Sequence, residues 1–270
     1  MTVVAVVGDA ATTTAVAIAA GWPAANEVVV LEADPRGGSL AGWLDTPAHP
    51  SLATVVATAG TDSGRDHGSI LDTFAAMTRR SDSGLRFVAT TVRARATRRA
   101  VDEAAVAVLP ALAAAATSVI ADVGTHDAGR APSPALRVAD VVVIVHRQAT
   151  ASARAATVRI ERLVETVEEL AHLDAGFILA VIGATPFDPA EIGLFVDESV
   201  PGTIRATVAI ADDPLAAATI AGRAGVSAKR LRRLPLMRDA STLAIALAEL
   251  VADQRHLVSD EPLGEEQASA

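Results

Sequence analysis

The chain has no cysteine, no tyrosine, one lysine and only 3% aromatic residues. Each absence excludes a class of chemistry. Without cysteine there is no disulfide framework, no thiol nucleophile and no thiolate-ligated zinc or iron–sulfur centre, which fits a cytoplasmic location. Five Phe and two Trp in 270 residues cannot supply the row of stacking platforms that single-stranded nucleic acid requires. A formal net charge of −9 argues against a protein that coats DNA generally. No apolar run reaches the ~18 uninterrupted residues of a membrane span. No basic segment precedes the first apolar run, so a secretory leader is not expected. Lys229 is the only lysine, and with the alanine excess this looks like the coding bias of a GC-rich genome. A mechanism that needs a lysine near residue 10 has none to use.

What is present is apolar and periodic. Hydrophobic residues make up 51% of the chain, enough to bury a large core. Runs rich in β-branched residues start at Thr2, Glu27, Leu85, Thr117, Asp140, Gly176 and Thr203. They are continuous rather than alternating, as strands covered on both faces of a parallel sheet are. Helical patterns separate them. The clearest is "SARAATVRIERLVETVEELAHL", in which Val164, Val167, Leu170 and Ala171 are read as one face. Alternating strands and helices predict an α/β fold, doubly wound, with a mostly parallel sheet and helices on both faces. Residues 1–252 read as a single domain. Residues 253–270 read as an acidic, disordered tail, and "TAGTDSGRDHGS" near residue 60 reads as a surface loop.

In such sheets ligands bind beyond the carboxyl ends of the strands. Three of those ends carry suggestive residues: "GDAATTT" after the first strand, "EADPRGG" after the second and "IADVGTHD" after the fourth. A loop that donates N–H groups to an anion, beside two strand-end carboxylates, is the minimum set for phosphate with Mg²⁺. Simpler roles fit the same residues. Thr12, Thr13 and Thr14 can cap a helix, Gly8 can serve a tight turn, and Asp34-Pro35 with Gly37-Gly38 is a good turn sequence. His126 and Asp127 form a pair that can support proton transfer, although no nucleophile accompanies them.

Together these pieces resemble the MinD/ParA family of P-loop ATPases, whose deviant Walker A motif has the form KGGxGK[ST]T. The chain looks most like an actinobacterial MinD-like branch, through Trp22-Pro23, "EADPRGG" from Glu32, "ADVVVIVHRQATASA" and "IADDPLAAATIAGRAG". The resemblance spans roughly residues 2–252 and implies a P-loop NTPase fold with ATP and Mg²⁺ as cofactors. It places Gly8, Asp9, Ala10, Ala11, Thr12 and Thr13 in the phosphate loop. Thr12 and Asp122 fall at the Mg²⁺ positions, and Asp34 at the carboxylate that helps position the attacking water.

The same alignment shows what is missing. Ala11 stands at the P-loop lysine, Val6 at the family's signature lysine and Ala10 at a glycine, while Asp9 adds a negative charge. A triphosphate carries about four negative charges that the lysine partly neutralises. At an effective dielectric of about 20, one unit-charge contact near 4 Å is worth ~4 kcal/mol. Exchanging an attraction for a repulsion therefore weakens binding by orders of magnitude, unless Arg36 reaches back to the phosphates.

The expected function is that of an assembly, positioning or regulatory factor with a degenerate nucleotide site, acting through protein partners or a homodimer. Partition, septum placement and secretion or pilus machinery are the processes the resemblance implies. One alternative is a weak ATPase switch of the same fold. Another is a dinucleotide-binding enzyme with Glu32 on a ribose, although a GxGxxG motif is absent. Trp43 and Leu44 are candidate interface residues. The basic run Lys229–Arg233 is a solvated helix face or a nonspecific DNA patch. The last helix lacks the basic face of an amphipathic membrane anchor, so no direct membrane attachment is expected.

Overall fold

The computed structural model describes residues 2–23, 27–47, 49–60, 67–82, 84–114, 118–148 and 152–259. In chain order, β1 (Val3–Gly8), α1 (Ala11–Ala20) and β2 (Val28–Glu32) form the first β-α-β unit. Next come α2 (Leu40–Trp43), α3 (Leu52–Gly60), α4 (His67–Met77), β3 (Arg79–Arg80) and β4 (Arg86–Val88). These are followed by α5 (Ala94–Ala114), β5 (Ser118–Gly124), α6 (Pro134–Arg137), β6 (Val141–Arg147) and α7 (Ala153–Leu170). The chain continues through β7 (Gly176–Ile182), α8 (Pro189–Ser199), β8 (Ile204–Ile210), α9 (Pro214–Ile220), α10 (Ala228–Leu231) and α11 (Pro235–Ser259).

The strands form one eight-stranded sheet in the order β3-β4-β2-β5-β1-β6-β7-β8. Every pairing is parallel except β3 with β4. All seven apolar runs read as strands are strands. The eighth, β3, is the two-residue Arg79-Arg80 pair, which has no apolar signature and forms only by pairing with β4.

Continuous apolar runs suit this sheet because both faces are covered. Val3, Ala5 and Val7 of β1 enter one core cluster with α3, α4, α5 and α7, while Val4 and Val6 enter another with α1 and α11. Both clusters are essentially dry along β1, β5 and β6. The edge strand β8 is largely exposed.

The α7 stripe is offset from its reading. Its buried residues are Ala156, Ile160, Leu163, Val167 and Leu170, whereas Val164 is partly buried and Ala171 exposed. The loop read near residue 60 falls partly on residues 61–66, outside the described set. The helix α11 continues past residue 252 to Ser259, and residues 260–270 also lie outside that set. Among the described residues no helix is long and apolar enough to cross a membrane.

Candidate functional site

The sheet order puts β5 between β1 and β2, so three strand ends open into one crevice. Asp122 of β5 is in register with Val6 on one side and Glu32 on the other. The β1–β5 register then slips, so that Val7 faces Gly124. Gly124 lies under Asp34: a Cβ there would sit 2.2 Å from Asp34 Oδ2. Gly8, Asp34 and Asp122 are thereby brought together.

Gly8 (φ +114°) turns the chain out of the sheet, and a Cβ on it would meet the Val145 carbonyl oxygen at 2.2 Å. That close approach requires glycine whether or not a ligand binds. Asp9 donates its N–H to the Val145 carbonyl at 2.9 Å. Its carboxylate points toward β6 and α7, where Oδ2 accepts from the Arg147 N–H at 3.2 Å and from the Arg159 guanidinium. Asp9 is therefore fixed by its own neighbours. Ala10, the N-cap of α1, is left-handed (φ 56°, ψ 28°) and gives the helix no side-chain cap. A non-glycine residue in that conformation is strained by about 1 kcal/mol. Ala11 begins the helix and is buried against core residues.

The threonines do not cap α1, because they lie inside its first turn and the N-cap is Ala10. Thr12 and Thr13 are half-buried. Thr14 is fully buried, and its hydroxyl has no partner among the described residues.

The carboxylates of the crevice divide by environment. Glu32, 1% exposed, accepts from the N–H groups of Ser39 and Leu40, both at 2.6 Å, and of Thr90 at 2.8 Å. It clamps the "DPRGG" loop to the end of β4, so its carboxylate is unavailable to a ribose. Burial raises its pKa against the pull of those three donors. Asp122 is 1% exposed. Its Oδ1 accepts from Gly124 N–H at 3.1 Å, and its Oδ2 has no partner among the described residues. Burial pushes its pKa up to about 7, with Glu32 and Asp34 adding to the rise and the Thr12 hydroxyl opposing it.

Asp34 is held in a fork by Arg36, whose Nε and NH2 both lie 3.2 Å from it. Arg36 thus turns to Asp34 and does not reach back to the first loop as a lysine substitute. The bond with Asp34 raises the Arg36 pKa.

A buried carboxylate with an unpartnered oxygen beside a threonine hydroxyl fits a divalent cation. Among the described residues, however, no group of three or more His, Asp or Glu side chains is placed to chelate one alone. Magnesium held by one or two protein groups normally completes its shell with water and phosphate oxygens.

His126 and Asp127 do not act as a pair. His126 Nε2 lies 2.8 Å from Glu169 Oε2 of α7, and Asp127 faces Arg130 at 3.4 Å. Trp43 and Leu44 are half-buried. Leu44 packs against the core, as expected for a core residue of a short helix. Lys229 to Arg233 lie on or next to α10; all four basic residues are exposed.

No local pattern signals the ion pair of Arg159, the amide contact of Arg147 or the clamping role of Glu32. Arg159 adjoins the buried Ile160, which places it near the sheet's ligand edge only once the α7 stripe is known.

No family model matches the chain, and no curated protein matches it significantly. Solved structures do. A ParA family ATPase from Chlorobium tepidum TLS superposes with a TM-score of 0.63 at 15% identity, covering 90% of this chain and 97% of that one. MinD in the MinC:MinD cell division complex of Aquifex aeolicus gives 0.56 at 14% identity, covering 92% and 96%. A cobyrinic acid a,c-diamide synthase from Mycobacterium smegmatis, with a bound ATP analogue and magnesium, gives 0.54 at 16% identity, covering 92% and 94%. The chain therefore has the fold of the ParA/MinD-type P-loop ATPases over nearly its whole length.

Proposed function

We propose that this protein is a cytoplasmic positioning, assembly or regulatory factor of MinD/ParA type whose nucleotide site is degenerate. It works through protein partners or a homodimer rather than through an efficient ATPase cycle. The observation that carries this reading is the first loop. Ala11 is buried where the family resemblance calls for a lysine, and Asp9 brings a carboxylate fixed by Arg159 and the Arg147 amide. Arg36 and Arg159, near the crevice, are each bound to an aspartate, which counts against either as a substitute for the lysine. Gly8, Thr12, Thr13 and the first N–H groups of α1 remain able to accept a weakly held phosphate, and Thr12 with Asp122 a magnesium ion. Asp34 would orient water if hydrolysis occurred.

The supporting structures include MinD bound to MinC and a ParA family ATPase, which favour partner binding. The resemblance to an actinobacterial branch extends the candidate processes to secretion and pilus machinery. The test is light scattering with and without MgATP. An oligomeric state indifferent to MgATP is expected. A monomer that becomes a dimer only with MgATP would overturn the reading and restore a nucleotide switch.

A further inference from the structure

The sheet ends in two unlike edges. One is β3, a two-residue strand of two arginines. The other is β8, seven residues long, with Arg205 as its only charge and no proline. Its register against β7 slips at Arg205 and is regular from Ala206 to Ile210. The N–H and C=O of one strand residue point to the same side, and the side alternates along the strand. The Ile210 carbonyl accepts from Gly183 N–H just beyond β7, so Ala206 and Val208 also face β7, while Thr207 and Ala209 face outward. No described residue bonds the backbone N–H or C=O of those two. At the next outward position the chain supplies its own cap, where Ala211 N–H donates to Asp239 Oδ2 at 2.9 Å. Proteins ordinarily blunt an open edge with outward charge, proline or a covering element. Arg205 does not serve that purpose, because its guanidinium lies over Gly176 of β7, where a Cβ would come within 3.2 Å of it.

We propose that this edge joins a second copy of the chain. Two β8 strands pair antiparallel about a two-fold axis at Val208, and Thr207 of each copy exchanges N–H···O=C bonds with Ala209 of the other, about four bonds in all. The occupant is a second copy because the segment is its own complement. Ala206 comes opposite Ile210, Val208 opposite itself, and no charge meets its like. The helix above the edge fits the same axis. Gly193 of α8 sits directly on Thr207, where a Cβ would meet Oγ1 at 2.2 Å. One residue back, Ile192 turns into the core. One residue on, Leu194 is 65% exposed and turns the opposite way, outward past the edge. Ala190, one turn earlier and also exposed, shares that face. Because α8 packs on β7 as well as β8, two such helices can stand ~8–10 Å apart over strands ~4.8 Å apart. The two-fold then sets Leu194 of each copy against Ala190 of the other. Pairing β8 with β3 would be too short to hold and would build open chains, so the edges allow a closed dimer. β8 lies three places from β1, so the joint needs no nucleotide and goes beyond the degenerate-site reading.

The test is sedimentation equilibrium of the full chain without nucleotide across the micromolar range, with hydrogen exchange of residues 204–210 followed by mass spectrometry. A nucleotide-free dimer is expected, and exchange at Thr207 and Ala209 should slow as protein concentration rises. Leu194→Glu, at an exposed helix position, should weaken dimerisation about tenfold or more. Ala209→Pro removes an outward N–H that β7 does not use and should abolish it; circular dichroism checks both folds. A monomer at every concentration, or a dimer that survives both variants, would overturn the proposal. So would a dimer lost in Trp43→Ala but kept in Leu194→Glu, which would lie on the phosphate-loop face. A nucleotide-free dimer that both variants break and that MgATP then enlarges would sustain the joint and sink the degenerate-site reading instead.

Discussion

Asp122 stores the largest electrostatic cost visible in the site, and removing it should stabilise the protein in a pH-dependent way. The perturbation is Asp122→Asn, which keeps the shape and the oxygen that accepts from Gly124 N–H. Burial pushes the folded-state pKa of Asp122 up to about 7 from its ordinary 3.8. Because the folded pKa is raised, the native state binds the proton more tightly than the unfolded chain. Stability is therefore greatest at low pH and falls as pH rises from about 4 through about 7. Each tenfold step costs roughly 1.4 kcal/mol, so the ionised carboxylate costs about 4 kcal/mol by pH 8 and about 1.5 kcal/mol at pH 5. Urea denaturation of wild type and variant at the two pH values measures the difference. Asp122→Asn should stabilise the protein at pH 8, with a gain about 2–3 kcal/mol larger than at pH 5. A gain independent of pH, or a loss at pH 8, would show that Asp122 is not held as an uncompensated buried acid.

Gly38→Ala would place a Cβ 2.1 Å from Glu32 Oε2. It should displace the carboxylate that holds three backbone donors and cost about 2–3 kcal/mol in thermal denaturation; a change within about 0.5 kcal/mol would contradict the clamp. Ala10→Gly relieves a left-handed backbone at φ 56° and should be neutral or stabilising by up to about 1 kcal/mol, read from the urea midpoint. A clear destabilisation would refute the strained turn. Arg159→Ala breaks an ion pair whose side chains are 39% and 37% exposed, so its stability cost should stay within about 1 kcal/mol and shrink in high salt. A salt-independent loss several times larger would mean the pair is structural.

The parallel sheet was legible because burial on both faces forces continuous runs of Val, Ile and Leu, and those runs survive in β1, β5, β6 and β7 as unbroken text. Strand β3 was not, since Arg79 and Arg80 become a strand only through β4. Asp34 and Asp122 were legible as strand-end carboxylates, because topology alone brings the ends of β2 and β5 together. Their partners were not. Asp9's ion pair with Arg159 joins residues 150 positions apart, and no local pattern encodes such a contact. Arg36 lies within reach of both the loop and Asp34 in sequence terms; only the turn at Asp34-Pro35, which returns Arg36 onto its neighbour two residues back, decides between them. The helix-start threonines misled for a related reason. A cap is defined by one residue's backbone conformation, and the left-handed turn falls on Ala10.

The most direct test of the degenerate-site account is calorimetric titration of MgATP into the full-length chain. The account predicts no binding heat at micromolar concentrations, because Ala11 supplies no charge to the phosphates and Asp9 opposes them. A micromolar or tighter dissociation constant would contradict it.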